Sequence, residues 1–498
     1  HQCAARILLY NRAHSPLHHI AGKYMSYDLI VIGGGFAGLT AANRAAELGL
    51  TALVLEASAE EFYACNSRYS TGSLHVSFTP PRTDPAVLYA AIQEKSDGTA
   101  RPDLAEAIAN RAAMTVEWLK AQGASFENHP RRSDDMPMLA PLREMRAGLD
   151  WEGGGAHRLL QTLEAGLTSQ GGELRRGIRA RRILQENGVI TGVEAETATG
   201  TETIAAPAVV IADGGFQANS DLVQQHIGCT ASELQRRNAG TGRGEGLLMA
   251  TGIGAATIGL GAFYGHVLSR DAMTNEALWP YPQVDVICAT SLVVNEAGQR
   301  IADEGNGGIY IANAIAKSGS PLGITAIFDA AVWEDAKTTD NVPPNPSLPD
   351  AGGTVIEAPT LEVLAAKAGI DPAGLIATIE AYNAHLAAGT SGNTSSPLAP
   401  PRTQTIYPAQ PVAQPPFYAI PVCAGITVTS GGIAVNGKGQ VMDTSDSPIP
   451  GLYAAGSAIG GLEGGNRAAY IGGLIKSFGV GLIAAETIAA ETAAERAN

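Results

Sequence analysis

The chain alternates between short apolar runs, glycine clusters and alanine-rich segments whose apolar positions recur at helical spacing. Its first clear run, Leu29–Ile32, is apolar and β-branched, which predicts a buried strand. A glycine cluster follows, then an alanine-rich segment over residues 37–48 and a second apolar run over residues 51–55. This order predicts a strand, a turn, a helix and a second strand, which is one βαβ unit with a parallel pair of strands.

Later segments continue this pattern with local changes. Residues 86–124 are mainly helical in spacing, and residues 173–216 predict short strands with Asn187 and Gly188 at a hairpin turn. The segment over residues 207–219 predicts a buried strand that runs into another glycine turn. The chain therefore keeps returning to a strand followed by glycines.

The pattern changes near residue 262, where aromatic residues, prolines and strand-like runs become frequent. Two loops rich in Pro and Ser, residues 340–353 and 390–416, lie in this region. Residues 360–389 between them predict two helices that are broken at residues 369–371, Gly-Ile-Asp. After residue 425 the alternation of strand, glycine turn and helix returns.

This return indicates one nucleotide-binding domain made of two separate segments, with a second domain inserted between them. We predict the first segment over residues 26–261, the inserted domain over residues 262–425 and the second segment over residues 426–498. Residues 1–24 precede a methionine and have only a short apolar patch, so we interpret them as a leader or as expression-derived residues.

Length and charge limit the classes of function. A chain of 498 residues is too long for one ordinary core. Its formal net charge of −15 argues against nucleic acid or an anionic membrane as a partner, because both are bound through basic patches. No uninterrupted apolar run reaches the roughly 18 residues of a transmembrane helix, so we predict no membrane insertion.

The five cysteines are scattered and form no CxxC pair. This argues against a disulfide framework and against a zinc site, and it fits a reducing compartment. The histidines outside the leader stand far apart in the chain, which does not support a metal site. We therefore predict a cytoplasmic protein without a bound metal.

The glycine cluster after the first run has the spacing G-x-G-x-x-G, with Gly33, Gly35 and Gly38. Gly33 permits the tight turn, Gly35 lets the backbone approach a pyrophosphate, and Gly38 lets the helix pack close to the strand. The start of the helix presents free N–H groups to the phosphates. Glu56 ends the second run, where an acidic residue accepts hydrogen bonds from ribose hydroxyls and disfavours a 2′-phosphate.

This motif alone does not distinguish FAD from NAD, but two distant segments favour FAD. Residues 208–216 and 449–461 are typical of the returning strand and glycine turn of two-segment flavoprotein domains. In such domains the last helix directs its N-terminus at the isoalloxazine, where its dipole stabilises the negative charge of the reduced flavin.

Several further segments carry a family resemblance, and they follow one another along residues 26–490: VIGGGFAGLTAA, CNSRYSTGS, GGGAHRLLQTLEA, VVIADGGFQAN, GTGRGEGLLMA, VVNEAGQRIADEG, PPFYAIPV, GLYAAG and GGNR. In this order they resemble the FAD-dependent fumarate reductase/succinate dehydrogenase flavoprotein superfamily, in its soluble 3-ketosteroid-dehydrogenase-like and tricarballylate-dehydrogenase-like branches. The resemblance implies an α/β fold, with a Rossmann-like FAD-binding domain in two segments and an inserted α+β capping domain that closes on the substrate.

The resemblance also implies the reaction and part of the site. The superfamily oxidises or reduces a carbon–carbon bond next to a carbonyl or carboxylate and exchanges a hydride with flavin N5. The SHT-like motif that binds FAD covalently in some relatives is absent at CNSRYSTG, so we predict non-covalent FAD. The cofactor-binding residues that the matching segments add are Asn66, Ser67, Gly72, Gly214, Gly456 and Asn466.

Two site residues match those of fumarate reductases, and two positions depart from them. Arg467 falls on the arginine that grips a substrate carboxylate, and His266 lies at the place of a capping-domain histidine that binds the same group. The proton-donating arginine of the family has no counterpart in DEGNGGIYIAN, and Thr427 and Val428 stand at the place of another histidine. These departures argue against fumarate as the substrate.

The steroid-type and tricarballylate-type branches use tyrosines instead. Tyr310 follows the DEG segment, and Tyr470 follows Arg467. A phenol can serve as acid or base when a nearby cation such as Arg467 lowers its pKa. We predict that one of these two tyrosines transfers the proton; the alternative is that both pack in the core and use their hydroxyls structurally.

The leading functional hypothesis is a FAD-dependent oxidoreductase that desaturates or reduces a substrate of the 3-ketosteroid, cyclic ketone or tricarballylate type. A CxxCH haem motif is absent, so we expect electrons to pass to a separate acceptor or from a separate donor. The alternatives are a flavin-dependent oxygenase of the precorrin-3B synthase type and a non-catalytic flavin-binding redox partner. The sequence leaves the substrate, the direction and the oligomeric state open.

Overall fold

The structure is a computed structural model that describes residues 19–20, 23–24, 27–128, 135–144, 146–389, 398–403 and 405–497. Most of the predicted leader lies outside these ranges. The strands are β1 (His19–Ile20), β2 (Lys23–Tyr24), β3 (Leu29–Ile32), β4 (Ala52–Glu56), β5 (Phe126–Asn128), β6 (Pro137–Leu139), β7 (Glu173–Arg176), β8 (Arg179–Glu186), β9 (Val189–Thr197), β10 (Gly200–Ala205), β11 (Ala208–Ile211), β12 (Leu234–Arg236), β13 (Thr257–Ile258), β14 (Phe263–Ser269), β15 (Leu292–Val294), β16 (Thr325–Asp329), β17 (Ile356–Ala358), β18 (Phe417–Thr429), β19 (Gly432–Ile433), β20 (Gln440–Met442) and β21 (Pro448–Ala454).

The helices include most of the alanine-rich segments of the sequence. They are α1 (Phe36–Glu47), α2 (Asn66–Tyr69), α3 (Pro85–Lys95), α4 (Pro102–Ala121), α5 (Gly155–Ser169), α6 (Ser220–His226), α7 (Glu245–Thr251), α8 (Asp285–Thr290), α9 (Gly308–Ala316), α10 (Ala330–Asp335), α11 (Pro344–Asp350), α12 (Leu361–Ala368), α13 (Pro372–Ala388) and α14 (Gly473–Ala497). The predicted break between two helices at Gly369 is confirmed, since this residue ends α12 in a left-handed conformation with φ +72°.

One six-stranded sheet combines strands from early and late parts of the chain, in the order β20-β21-β11-β3-β4-β7. Its strands are parallel except for the antiparallel pair β20 and β21. The apolar run of β3 is buried along its whole length, as expected for a parallel strand that is covered on both faces. The predicted βαβ unit is confirmed, because β3 and β4 pair in parallel across α1.

Helix α14 packs against α1 beside this sheet. The rings of Phe36 and Phe478 lie 4.7 Å apart, and a Cβ at Gly481 would lie 2.8 Å from the Ala37 carbonyl oxygen. In the part of the chain that the structure describes, α14 alone is long and apolar enough to cross a membrane, and 61% of its apolar window is buried within the fold. Its apolar composition is explained by this packing.

A second sheet has the order β12-β18-β16-β15, and β14 and β17 also pair with β18. Strand β14 runs antiparallel to β18, with a shift of register between Tyr264 and Gly265 that leaves Thr427 unpaired. A Cβ at Gly265 would lie 2.0 Å from the Gly425 carbonyl oxygen, so the close approach of the two strands requires glycine there. This irregularity lies beside the site described below.

The second sheet extends past the predicted domain boundaries. Strand β12 lies before residue 262, and β18 ends at Thr429, after residue 425. The domain boundaries at residues 262 and 425 therefore stay predictions. The three-stranded sheet β10-β9-β8 has its hairpin at Asn187 and Gly188, as predicted, and both residues have positive φ.

Candidate active site

A glycine-rich turn between β3 and α1 borders a cavity of about 380 Å³ at the carboxyl ends of the parallel strands. Gly33 has φ +107°, and a Cβ there would lie 2.6 Å from the Ala212 carbonyl oxygen. A Cβ at Gly38 would lie 2.0 Å from the Gly33 carbonyl oxygen. Gly33 and Gly35 line the cavity, whereas Gly38 lets α1 approach the turn, so each predicted glycine has a steric reason.

Glu56 lies at the end of β4 in the wall of this cavity. One carboxylate oxygen accepts a hydrogen bond from Gly34 N–H at 3.1 Å and the other from Ser58 N–H at 2.8 Å. Burial raises the pKa of Glu56 above its usual value, although these two backbone bonds oppose the shift. The carboxylate is thus fixed by the backbone, and its remaining lone pairs can accept from ribose hydroxyls.

Asn66 and Ser67 begin α2 and connect distant segments. The Ser67 hydroxyl accepts from Phe36 N–H at 2.9 Å and so caps the start of α1. Asn66 donates to the Thr427 carbonyl oxygen at 2.9 Å and accepts from Ala239 N–H at 2.9 Å. Both residues line the cavity, and their role in binding the cofactor stays a prediction.

The polar atoms of this cavity fit FAD. Gln217 is 5% exposed, and its side-chain oxygen has no hydrogen-bond partner among the described residues. The same holds for one oxygen of Asp213, whose other oxygen accepts from Gly246 N–H at 2.7 Å. Burial raises the pKa of Asp213 to about 7. Gly214 and Gly456 also line the cavity, so it offers both backbone clearance and unused polar atoms to a dinucleotide.

A second cavity, of about 320 Å³, adjoins the first. Gly72 lies in its wall. The residues that line both cavities are Asn66, Ser67, Ser457 and Ser477. The two cavities therefore adjoin at these four residues, and we call the second one the substrate cavity.

Tyrosines form one wall of the substrate cavity. The rings of Tyr264 and Tyr470 stack with centroids 3.8 Å apart and planes at 16°. The Tyr264 hydroxyl lies 2.9 Å from Nε2 of His266, and Nδ1 of His266 makes a short contact with Asp285. His266 and Asp285 are 13% and 14% exposed, so this chain of polar groups is held away from bulk water.

The electrostatics of this wall follow from its burial. Burial raises the pKa of Tyr264 to about 12 and raises the pKa of Tyr470 well above its usual value. Burial also lowers the pKa of His266, against the opposing effect of Asp285. The predicted lowering of a tyrosine pKa by Arg467 is therefore wrong for Tyr470, because burial is the dominant cause.

Two arginines, Arg143 and Arg237, also line the cavity, and each lies over the ring of Tyr281. The guanidinium carbons of Arg143 and Arg237 lie 5.8 Å and 5.4 Å from the centre of its ring. Arg237 donates to the Thr427 hydroxyl at 3.0 Å, and Arg143 donates to the Tyr69 carbonyl oxygen at 2.8 Å. Burial lowers the pKa of Arg143, which shows how closely the cation is enclosed. These contacts use only part of the two guanidinium groups.

Arg467 and Asn466 lie in an exposed loop and line neither cavity. The Arg467 side chain is 45% exposed; it pairs with Asp97 and donates to the Glu94 carbonyl oxygen at 2.9 Å. The loop around Arg467 has several positive φ angles, including +49° at Ala468. The predicted anion grip of Arg467 stays a prediction that this placement does not favour.

The loop that carries Arg467 is held from inside by a buried ion pair. Glu463 and Lys476 pair directly, and both side chains are 1% exposed. Glu463 also accepts from Ile471 N–H at 3.1 Å and from Gly472 N–H at 3.3 Å. These contacts fix the position of Tyr470 at the start of α14, where its hydroxyl oxygen accepts from the Gly473 N–H at 2.9 Å.

The structure thus brings together two of the four predicted catalytic residues. His266 and Tyr470 line the substrate cavity, whereas Tyr310 packs on α9 outside both cavities. Burial and the neighbouring Asp303 raise the pKa of Tyr310, so the expected lowering by a cation does not hold there either. Its assignment as the acid or base stays a prediction.

Sequence reasoning did not identify Tyr264, Tyr281, Arg143 or Arg237. For Tyr264 a signal existed: it stands two residues before His266 in a strand-like run, a spacing that places both side chains on one face. The arginines have no local signal, since only the tertiary fold brings them together. Within the described ranges, no group of three or more His, Cys, Asp or Glu residues could hold a metal ion.

Comparison with known proteins places the two cavities in context. A family model described as "FAD binding domain" matches residues 28–472. The chain is 28% identical over 553 residues to the 4-oxocyclohexanecarboxylate 2-dehydrogenase of Sinomonas cyclohexanicum, covering 94% of this chain and 94% of that relative. It is 26% identical over 462 residues to the probable fumarate reductase Ifc3 of Shewanella frigidimarina (strain NCIMB 400), covering 90% of this chain and 72% of that relative.

A solved structure of a dehydrogenase has the same fold. The 3-ketosteroid delta1-dehydrogenase from Sterolibacterium denitrificans, in complex with 1,4-androstadiene-3,17-dione, matches 93% of this chain and 99% of its own, with a TM-score of 0.69 and 21% identity. At this identity the likeness concerns the fold. It confirms the predicted fold class, an α/β FAD-binding domain in two segments with a capping domain.

Proposed function

We propose a reaction for this chain, which belongs to the FAD binding domain family and, with its fumarate reductase and dehydrogenase relatives, to the fumarate reductase/succinate dehydrogenase flavoprotein superfamily. The predicted superfamily and cofactor are thereby confirmed: the protein is a FAD-dependent oxidoreductase that acts on carbon–carbon bonds. The proposed reaction is the interconversion of a single and a double bond next to the ketone of a small cyclic keto acid. The proposed direction is desaturation, as in the named activity of the Sinomonas relative.

One observation supports this substrate class above the others. The substrate cavity has stacked phenols in one wall and two partly unpaired guanidinium groups in another. A ketone oxygen requires a hydrogen-bond donor, and a carboxylate is bound best by arginine. A substrate with both groups matches both walls, whereas a dicarboxylate without a ketone leaves the phenols without a carbonyl partner.

The polar residues of the substrate cavity can be assigned roles in this reaction. The carboxylate binds Arg143 and Arg237 and so orients the ring. The Tyr470 hydroxyl already accepts a hydrogen bond from Gly473, so its own hydrogen is free to donate to the ketone oxygen. This donation withdraws electron density and makes the hydrogens on the adjacent carbon more acidic. FAD, when bound, supplies the acceptor or donor of a hydride at the next carbon.

Gly33, Gly35, Glu56, Asn66 and Ser67 would hold the cofactor in the first cavity. Gln217 and Asp213 would add the polar atoms that lack partners. Binding without a covalent link stays a prediction, as does a separate electron acceptor or donor. The cytoplasmic location also stays a proposal, based on the scattered cysteines.

The oxygenase and redox-partner alternatives have no support. The two relatives named above are a dehydrogenase and a probable reductase. Fumarate reduction is a weaker candidate, because the position matched to the family's proton-donating arginine has none and Arg467 lies outside the cavity.

The test is anaerobic stopped-flow with the oxidised FAD-loaded enzyme and a panel of 4-oxocyclohexanecarboxylate, cyclohexanone, succinate and a 3-ketosteroid. We expect the keto acid to bleach the flavin absorbance fastest, and cyclohexanone to do so only at much higher concentration. Bleaching by succinate alone, or by none of the compounds while FAD is bound, would contradict the proposal.

A further inference from the structure

Tyr264, His266 and Asp285 form a continuous line of polar groups that begins in the substrate cavity and ends at helix α8. Tyr264 and His266 lie on β14, and Asp285 is the first residue of α8. The Tyr264 hydroxyl is 2.9 Å from His266 Nε2, and the opposite ring nitrogen contacts Asp285. The resemblance to fumarate reductases implied only a carboxylate-binding role for His266, and Tyr264 had no assigned role.

The position of Asp285 fixes the direction of these hydrogen bonds. Its second oxygen accepts from Val267 N–H at 2.7 Å, so the carboxylate is held from two sides. A Cβ at Gly308 would lie 2.1 Å from Asp285 Cγ, which shows that α9 makes room for this side chain. Because a carboxylate is an acceptor, His266 carries its hydrogen on Nδ1. Nε2 is then an acceptor, and the Tyr264 hydroxyl donates to it.

We propose that Tyr264 is the general base of the reaction and that His266 and Asp285 position it and receive its proton. This inference rests on the proposed function. In desaturation the Tyr264 oxygen takes a proton from the carbon next to the ketone while its own hydroxyl proton moves to His266 Nε2. The electron pair of that C–H bond becomes the new C=C bond, and the hydride leaves the neighbouring carbon to the flavin of the family, which is the two-electron oxidant. The imidazolium that results faces the Asp285 carboxylate.

Neither of the tyrosines singled out from the sequence has this arrangement. The Tyr470 hydroxyl accepts from a backbone N–H, and no base is bonded to it among the described residues. Tyr310 lies outside the cavity. Tyr264 alone of the three combines contact with the cavity, a bonded histidine and a carboxylate behind that histidine.

Charged and titratable groups on several elements face this line of residues. Arg237 favours the ionised form of Tyr264 and disfavours the protonated form of His266. Asp285, Tyr281 and Glu463 disfavour ionisation of Tyr264. The phenol therefore stays protonated until a substrate proton arrives. Burial lowers the pKa of His266, so the neutral, proton-accepting imidazole is present at neutral pH and is lost as the pH falls through that pKa.

The test separates proton transfer from hydride transfer. Dithionite-reduced, FAD-loaded enzyme cannot take a hydride from the substrate, but it can exchange the ring hydrogens next to the ketone of 4-oxocyclohexanecarboxylate for deuterium in D₂O. Exchange above the enzyme-free rate is followed by NMR. We expect wild-type enzyme to catalyse the exchange and Tyr264→Phe to catalyse it roughly 10²–10⁴-fold more slowly, with a similar decrease in the rate of anaerobic flavin bleaching.

Two control variants make this result specific. Tyr418→Phe changes a tyrosine of the same sheet outside both cavities, and we expect wild-type exchange. If Tyr264 is the base, Tyr310→Phe should also catalyse deuterium exchange at the wild-type rate. If Tyr310→Phe loses exchange and Tyr264→Phe keeps it, the relay is overturned.

A positioning role for His266 requires a readout other than rate alone. In the wild type we expect flavin bleaching to rise with pH through the lowered pKa of His266 and then to level off. In His266→Gln this rise should disappear, and Asp285→Asn should shift it to lower pH because the imidazolium loses its partner. If Tyr264→Phe fails to bind FAD, His266→Gln and Asp285→Asn still test the relay. Wild-type rates and pH profiles in both of these variants would overturn it.

Failure of the relay differs from failure of the proposed function. If wild-type enzyme binds FAD but is bleached by no cyclic ketone, the proposed function fails. If wild-type enzyme is bleached and Tyr264→Phe matches it in bleaching and exchange, only the relay fails.

Discussion

The two cavities of this protein are adjacent but are built in different ways. In the nucleotide cavity, glycines of the turn over residues 33–35 permit a close backbone approach, and Glu56 follows at the end of the next strand; further segments, among them residues 212–214 and 240–243, complete the lining. The substrate cavity is formed by side chains that arrive from separate parts of the chain, among them Arg143, Arg237 and Tyr470. A close backbone approach can be recognised in the local sequence, because only glycine permits it. The convergence of side chains from distant segments has no such local sequence pattern.

This difference also concerns chemistry. The nucleotide cavity binds a dinucleotide, and the constraints on its residues are steric. The substrate cavity selects by charge and hydrogen bonding, through the arginines beside Tyr281 and the stacked Tyr264 and Tyr470. Substitutions in the first cavity should therefore remove the cofactor, and substitutions in the second should change the substrate or the rate.

The largest effect is expected for Gly38→Ala. A Cβ there would lie 2.0 Å from the Gly33 carbonyl oxygen, so α1 must move away from the phosphate-binding turn. We expect the purified variant to contain little FAD, measured as the ratio of flavin to protein after desalting. Gly261→Ala is the matched control, since Gly261, like Gly38, has no positive φ, but the atom nearest to an added Cβ, the His226 carbonyl oxygen, lies 3.5 Å away. Full flavin loading of Gly38→Ala would show that the backbone constraint is weaker than described.

The next effect concerns the loop that carries Arg467 and ends at Tyr470. Lys476→Met leaves the Glu463 carboxylate buried without its cation, and such a loss costs about 3–5 kcal/mol of unfolding free energy. Urea unfolding measures it. In the control Lys337→Met, the exposed pair with Glu334 is lost, and the change should stay within about 1 kcal/mol. Equal changes in the two variants would contradict the structural role given to the buried pair.

Arg143→Gln should have a smaller effect that is specific to the substrate. A hydrogen bond to a charged group contributes about 1.5–3 kcal/mol, so KM for 4-oxocyclohexanecarboxylate should rise roughly 10–150-fold. The rate with cyclohexanone, which has no carboxylate, should change little and serves as the internal control. Equal losses with both compounds would mean that Arg143 does not bind the carboxylate.

The smallest effect is expected for Arg467→Ala. Its exposed pair with Asp97 contributes about 0–1 kcal/mol, so stability and turnover should stay near wild type. The resemblance to fumarate reductases predicts the opposite, a loss of turnover with FAD retained. Steady-state kinetics with the keto acid decides between the two, and a loss of turnover would return Arg467 to the active site.

The fold and the nucleotide cavity could be predicted from the sequence to a large extent. The glycine spacing and the apolar runs identified β3, α1 and β4, and the return of the pattern after residue 425 identified the second segment. Both signals are local or follow chain order, so they need no knowledge of tertiary contacts. The register irregularity at Gly265 could not be predicted, because it depends on the opposing Gly425.

The substrate cavity could be predicted only in part. His266 and Tyr470 were found through resemblance, and the structure places them in one wall with Tyr264. Arg467 matches the family motif in sequence, but the turn of its loop and the competing Asp97 place it at the surface. Side-chain direction in a glycine-rich loop depends on a few backbone angles, and a motif does not specify them.

The most direct test of the account is a crystal structure of the dithionite-reduced, FAD-loaded enzyme with 4-oxocyclohexanecarboxylate. The account predicts the carboxylate within hydrogen-bond distance of Arg143 and Arg237, the ketone oxygen at the Tyr470 hydroxyl, and the adjacent ring carbon facing the Tyr264 hydroxyl. A keto acid bound with its carboxylate on Arg467, or with its ring remote from Tyr264 and Tyr470, would contradict it.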